Sequence, residues 1–209
     1  LPLICEQIFT SFMGTVDSMM VSNVSEAAIS AVSLVDSINI LVIQAFYALA
    51  SGGAIVCANY LGQKRQDQAE RSANQLLFII FAISLAVLAV CQLFRAPLLR
   101  LVFGSVEQEV MDAAMVYFFY TSLSFPFIAL FDSGSAVFRA QNNSRLPMAI
   151  TVSTNLMNIA GNALLIWGFH LGVAGAAVST LLSRIAAALL VLLFLRRKSG
   201  ELRIVNFIF

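Results

Sequence analysis

The sequence predicts an all-α membrane protein, a bundle of six transmembrane helices, and three observations carry that reading. Of the 209 residues, 60% are hydrophobic and 11% charged, with mean hydropathy +0.90, whereas a soluble globular domain carries about 25% charged residues. The apolar residues form six stretches, each able to supply the ~20 residues with which a helix crosses a roughly 30 Å hydrocarbon layer. The basic residues are spread unevenly over the breaks between those stretches.

In chain order the stretches cover about 1–23, 28–61, 73–95, 110–138, 147–168 and 172–195, within one unit spanning 1–209. Between them stand "NVSEAA", "LGQKRQDQAER", "RAPLLRLVFGSVEQEV", "RAQNNSRLP" and "GFHLG", and "RRKSGELR" follows the sixth. Each break gathers charged, small or turn-forming residues. Lys64, Arg65, Arg71, Arg139, Arg145, Arg196, Arg197, Lys198 and Arg203 follow even-numbered stretches, and only Arg95 and Arg100 follow an odd one. Positive loops stay inside, so both ends of the chain are expected on the cytoplasmic side of the cell membrane. The opening "LPLICEQIF" has neither an initiating Met nor a basic signal region, so the chain is expected to start inside a span of a longer protein.

The net charge is +1 with no sustained basic run, which gives no nucleic-acid footprint. The partners expected are the lipid bilayer and a small molecule that crosses it. Cys5, Cys57 and Cys91 lie far apart in apolar surroundings, without metal-ligand spacing. No nucleophile and base pair, zinc motif or phosphate loop is present, and "GQKRQ" lacks P-loop spacing, so neither an enzyme nor a cofactor is expected. Seventeen Phe and seven Met suit either an adaptable lining or a lipid-facing surface.

The chemistry is expected where polar side chains stand inside the apolar stretches. Asp17 precedes the first outer break; Asn162 lies eight residues before His170 in "GFHLG", and Thr180 ten residues after it. At 1.5 Å per residue all three sit about 12–15 Å below the outer face. Asn158 shares a helix face with Asn162, four residues on. A carboxylate in a membrane costs several kcal/mol and is by default a functional group; with the amides and hydroxyl it forms a set that binds a proton or Na⁺. The bland alternative is that Asn158, Asn162 and Thr180 only join helices by hydrogen bonds. Asp36 and Arg184 lie at comparable depth on the second and sixth stretches and read as a buried pair or as groups lining a substrate path. Asp132 reads as a solvated residue near the inner face, with Arg139 in reach. His170, beside Trp167, reads as part of an interfacial anchor.

Motifs in this order resemble the N-terminal six-helix lobe of the multidrug and toxic compound extrusion (MATE) transporters, over nearly the whole chain. The resemblance is carried by "LPLICEQIF" with "GTVDSMMV", "GGAIVCANYLGQKRQDQAE", "APLLRLVFGSVEQEVMDAAMVYF", "FRAQNNSRLPM" and "NIAGNALLIWGFHLGVAGAAVST". It implies twelve helices in two lobes, of which the C-terminal lobe is absent here, and export of amphipathic, often cationic drugs and toxins by alternating access, coupled to H⁺ or Na⁺. It also implies a cation site built from an aspartate of the first helix, an Asn-x-x-x-Asp pair of the fifth and a threonine of the sixth. Asp17, Asn158 and Thr180 match, whereas Asn162 stands where an aspartate is expected. The missing charge speaks against tight Na⁺ binding and for proton coupling centred on Asp17; Asp36, outside the family pattern, restores it if its helix turns inward. Two other functions fit the same residues: a lipid-linked precursor flippase of the same broad superfamily, which Arg184 alone supports, and a non-transporting membrane scaffold.

Overall fold

A computed structural model describes residues 8, 16, 19–21, 24–104 and 106–196. The first expected span, with Asp17, and residues 197–209 lie outside this set, apart from isolated positions in the former. Among the described residues every regular element is a helix: α1 (Glu26–Gly62), α2 (Gln66–Leu93), α3 (Arg95–Phe103), α4 (Gln108–Leu123), α5 (Phe125–Ala140), α6 (Arg145–Asn162) and α7 (Gly172–Arg196). A π-helical turn, Ala163–Gly168, extends α6. α1, α2, α6 with its π-turn, and α7 are each long and apolar enough to cross a membrane, and α4 with α5 makes a fifth span if the bent pair is counted as one. The chain is an all-α membrane protein.

The helix ends follow from local chemistry. Ser25 is extended (φ −168°, ψ 162°) and its Oγ accepts the Ala28 N–H at 3.0 Å, while Glu26 sits at the positive end of the α1 dipole. α1 has 37 residues, or about 55 Å of helix, so it crosses at a tilt or runs past the hydrocarbon layer. It ends in a Schellman turn: Lys64 N–H donates to Leu61 O at 2.9 Å, Arg65 N–H to Tyr60 O at 3.0 Å, and Lys64 takes φ 58°. α5 ends the same way, with Asn142 at φ 59° and N–H bonds of 3.0 Å from Asn142 to Arg139 O and from Asn143 to Phe138 O.

The helix limits depart from expectation at one place. The break "RAPLLRLVFGSVEQEV" is not all loop, because its first nine residues form α3, which stops at Gly104 with φ 63°. The stretch 110–138 is bent, with α4 and α5 meeting at Ser124 at 42°. Pro126 has no N–H to offer the carbonyl four residues earlier, the usual cause of a kink.

α5 packs against α1, α2 and α7 and is the innermost of the described helices, with every residue from Phe131 to Phe138 buried. Gly134 admits the Val191 side chain of α7, whose methyls stand 3.0 Å from where a Cβ would be. Asp132 is therefore no solvated residue at a helix end: it is 8% exposed, in the middle of α5. The outward faces carry large apolar side chains, Leu41, Leu93 and Leu101 among them, as lipid contact requires.

Candidate functional site

The hairpin of α6 and α7 builds the first polar cluster. Asn158 and Asn162 are 9% and 1% exposed and one turn apart, and Asn162 Nδ2 donates to Asn158 Oδ1 at 3.4 Å. From α7, three hydroxyls converge on Asn158 Nδ2: Ser183 Oγ at 3.1 Å, Thr180 Oγ1 at 3.3 Å and Ser179 Oγ at 3.4 Å. Ser179 Oγ in turn donates to the Asn158 carbonyl at 2.9 Å, and Ser183 Oγ to the Ser179 carbonyl. The helices approach this closely because Gly161 has no side chain: a Cβ there would stand 2.4 Å from Ser179 Oγ. At the end of the hairpin, Gly175 lies against the Leu165 backbone of the π-turn.

Asn158, Asn162 and Thr180 thus come together, and Asp17 lies outside the described residues. The end of the bundle where it is expected is nevertheless fixed at two points. Val24, just before α1, has its Cγ1 3.4 Å from where a Cβ on Gly172 would be, so the turn ahead of α1 and the turn carrying His170 meet. His170, in left-handed conformation at φ 55°, is exposed there beside exposed Trp167 and Phe169.

A second cluster lies among α1, α4, α7 and the α4–α5 break. Asp36 Oδ1 accepts from Asn39 Nδ2 at 3.1 Å and from the Tyr117 hydroxyl at 3.3 Å. Arg184 Nη1 donates to Ser124 Oγ at 2.6 Å. Ser124 is wholly buried and its Oγ donates to the Thr121 carbonyl. Arg184 follows Thr180 by one turn of α7, so the two clusters adjoin along that helix.

Reading the sequence alone misses Ser179, Ser183, Tyr117, Ser124 and Asn39. A signal existed for the first two: Ser179 and Ser183 are four apart and flank Thr180, so they bring hydroxyls to much the same helix side. Tyr117 and Ser124 are reached through the bend of α4 on α5, which Pro126 allows but whose contacts no local pattern gives.

The residues 2–164 match the family model MatE. The chain belongs to the MatE family. A MatE-like relative, the uncharacterized transporter YisQ of Bacillus subtilis (strain 168), is 30% identical over 94% of this chain and 44% of its own length. The "Probable multidrug resistance protein NorM" of Thermotoga maritima is 28% identical over 97% of this chain and 44% of its own. An outward-facing multidrug resistance MATE family transporter of the MOP superfamily shares the fold with TM-score 0.91 at 20% identity, over 98% of this chain and 45% of that one. The chain therefore spans somewhat less than half the length of these MatE relatives. Asn158 and Asn162 fall inside the matched MatE residues, and Thr180 and Arg184 beyond them.

Proposed function

We propose that this chain is one lobe of a cation-coupled exporter of amphipathic, often cationic organic molecules, completed in the cell membrane by a second lobe of similar size. The observation that carries the reading is the buried amide and hydroxyl cluster of Asn158, Asn162 and Thr180, held between two apolar helices of a MatE chain. The name borne by the Thermotoga maritima relative, a multidrug resistance protein, agrees with it.

In this reading Asp17 exchanges H⁺ or Na⁺ together with the cluster. The described ligands favour H⁺: Asn162 brings no charge, and Asn158 turns its Nδ2 toward the hydroxyls of α7, so the amide donates where a sodium ion would need oxygen. Neutralising Asp17 removes the cost of a carboxylate in the bundle and favours the state that expels substrate. A swing from 1:99 to 99:1 takes roughly 5.5 kcal/mol of differential binding, of which a buried carboxylate changing charge supplies a fair part. The flippase alternative is disfavoured, because its support, Arg184, is engaged with Ser124.

The test is ethidium efflux by the complete two-lobe transporter in proteoliposomes, under imposed H⁺ or Na⁺ gradients. Gradient-driven efflux is expected in wild type and lost in Asp17→Asn; Asn162→Asp, which restores the charge expected from the family resemblance, is expected to introduce Na⁺ dependence. Unchanged efflux in both variants would leave the cluster with only the scaffold role.

A further inference from the structure

The short helix α3 sits at the end of the bundle opposite the Lys64 turn, because α2 starts beside that turn and its 28 residues run about 42 Å away from it. The nine residues of α3 face two ways. Leu99 is wholly buried and seats the helix on its neighbours, α2 and α4. Pro97, Arg100 and Leu101, about one turn apart, are exposed, Leu101 to 86%. Leu93, 77% exposed, with Phe94 and Val102, enlarges the patch. It continues the outward face of α2, where Ile79, Ile83, Leu85 and Val90 are exposed along a span that crosses lipid.

Two guanidinium groups border this apolar patch. Arg100 is exposed beside Leu101, and Arg95 has its Cζ 5.1 Å from the centroid of the Phe119 ring on α4. Stacking on a ring leaves the N–H edge of a guanidinium open to an acceptor. Among the described residues neither arginine makes a hydrogen bond or an ion pair. The carboxylates that follow, Glu107, Glu109 and Asp112, gather at the start of α4, where they complement the helix dipole, and Asp112 accepts from Gln108 Nε2 at 2.9 Å. Water alone around α3 would wet Leu93 and Leu101, and hydrocarbon alone would strand two positive charges. The phosphate layer of a leaflet meets both demands.

We infer that α3 is an interfacial helix that binds phospholipid: Leu93, Phe94, Leu101 and Val102 enter the leaflet, and Arg95 and Arg100 hold its phosphate groups. A guanidinium fork matches two phosphate oxygens with parallel N–H···O bonds. Apolar side chains sunk below arginines at headgroup level are the build of a helix lying at a membrane surface. An anionic lipid such as phosphatidylglycerol is favoured, because a zwitterionic headgroup brings its own ammonium to the phosphate. This also gives a reason for two arginines at the end where basic residues are fewest.

Depth and lipid binding are tested on the complete transporter. With Cys5→Ser as background and Cys57 and Cys91 buried, a nitroxide is placed on Leu101→Cys or, for reference, on Gln63→Cys, in phosphatidylglycerol vesicles. Oxygen, which partitions into lipid, is expected to relax the Leu101→Cys label more than a water-soluble nickel chelate does, with the reverse at Gln63→Cys. The same pattern at both positions overturns the inference. Native mass spectrometry then follows the titration of wild type, Arg95→Gln and Arg100→Gln with phosphatidylglycerol in detergent. Each substitution is expected to weaken the tightest lipid binding roughly 10-fold, as loss of a charge-assisted hydrogen bond does, and wild-type binding in both overturns the phosphate contacts. Arg100→Gln decides alone if Arg95→Gln, which also loses the Phe119 stack, does not fold. Displacement of the lipid by an equal concentration of inorganic phosphate marks a site for free anions and overturns the lipid assignment.

Discussion

At the scale of single residues, Asn158 and Thr180 separate holding helices together from moving an ion. Asn158 Nδ2 is shared among three hydroxyls of α7, its Oδ1 accepts from Asn162, and its carbonyl accepts from Ser179. Asn158→Leu leaves buried polar atoms on both helices without that partner, at a cost of about 1–3 kcal/mol. Thr180→Val keeps the shape and removes one of three acceptors, which for an interhelical bond in a membrane protein costs about 0.6 kcal/mol. In thermal unfolding of the detergent-solubilised transporter, Asn158→Leu should therefore melt well below wild type and Thr180→Val close to it. Efflux should nevertheless fall in both, because a cation or proton site needs the Thr180 oxygen whether or not stability does. A Thr180→Val protein with full efflux would confine the hydroxyl to joining helices.

At the scale of elements, glycines set how closely helices pack, and their surroundings rank them. A Cβ on Gly175 would lie 3.0 and 3.1 Å from the Leu165 carbonyl carbon and oxygen, which belong to the backbone of the π-turn. Gly175→Ala is expected to cost about 1–3 kcal/mol, as overpacking does. Gly52, in mid-α1, meets nothing within 4 Å, and Gly52→Ala should gain roughly 0.5–1 kcal/mol of helix stability. Melting temperatures moving in opposite directions would bear this out; equal shifts would refute it. The same elements mark what the sequence discloses. Apolar length exposes α1, α2, α6 and α7, because a helix in lipid must be apolar nearly all round, and the spacing of Asn158, Asn162 and Thr180 about one turn exposes their meeting. The helix α3 is not disclosed, since Pro97 stands near a helix start that only the folded chain defines, whereas Pro126 marks where 110–138 can bend without giving the angle. Nor is the burial of Asp132, which follows from α5 lying innermost, a property of the packing of its neighbours.

For the whole molecule the open quantity is which end faces the cytoplasm. The turns closing α1 and α5 lie at one end and carry Lys64, Arg65, Arg139 and Arg145 within or beside them. The turn carrying His170 meets the one before α1 at the opposite end, flanked by exposed Trp167 and Phe169. Cytoplasmic loops retain positive charge, and aromatic residues gather at the membrane–water boundary, so Gln63 should lie inside and His170 outside. The native cysteines of α1 and α2 leave this open to a thiol test, because Cys57 and Cys91 are 0% and 5% exposed and react slowly. With Cys5→Ser as background, Gln63→Cys and His170→Cys are treated with a membrane-impermeant maleimide on intact cells expressing the complete transporter. Labelling of His170→Cys before permeabilisation, and of Gln63→Cys only after it, is the expected pattern. The reverse pattern would invert the lobe, turning the cluster of Asn158, Asn162 and Thr180 toward the cytoplasm and making it load from the side to which an exporter releases nothing. Labelling of both from outside would mean that an even number of the three spans between them, α2, α4 with α5, and α6, crosses the membrane.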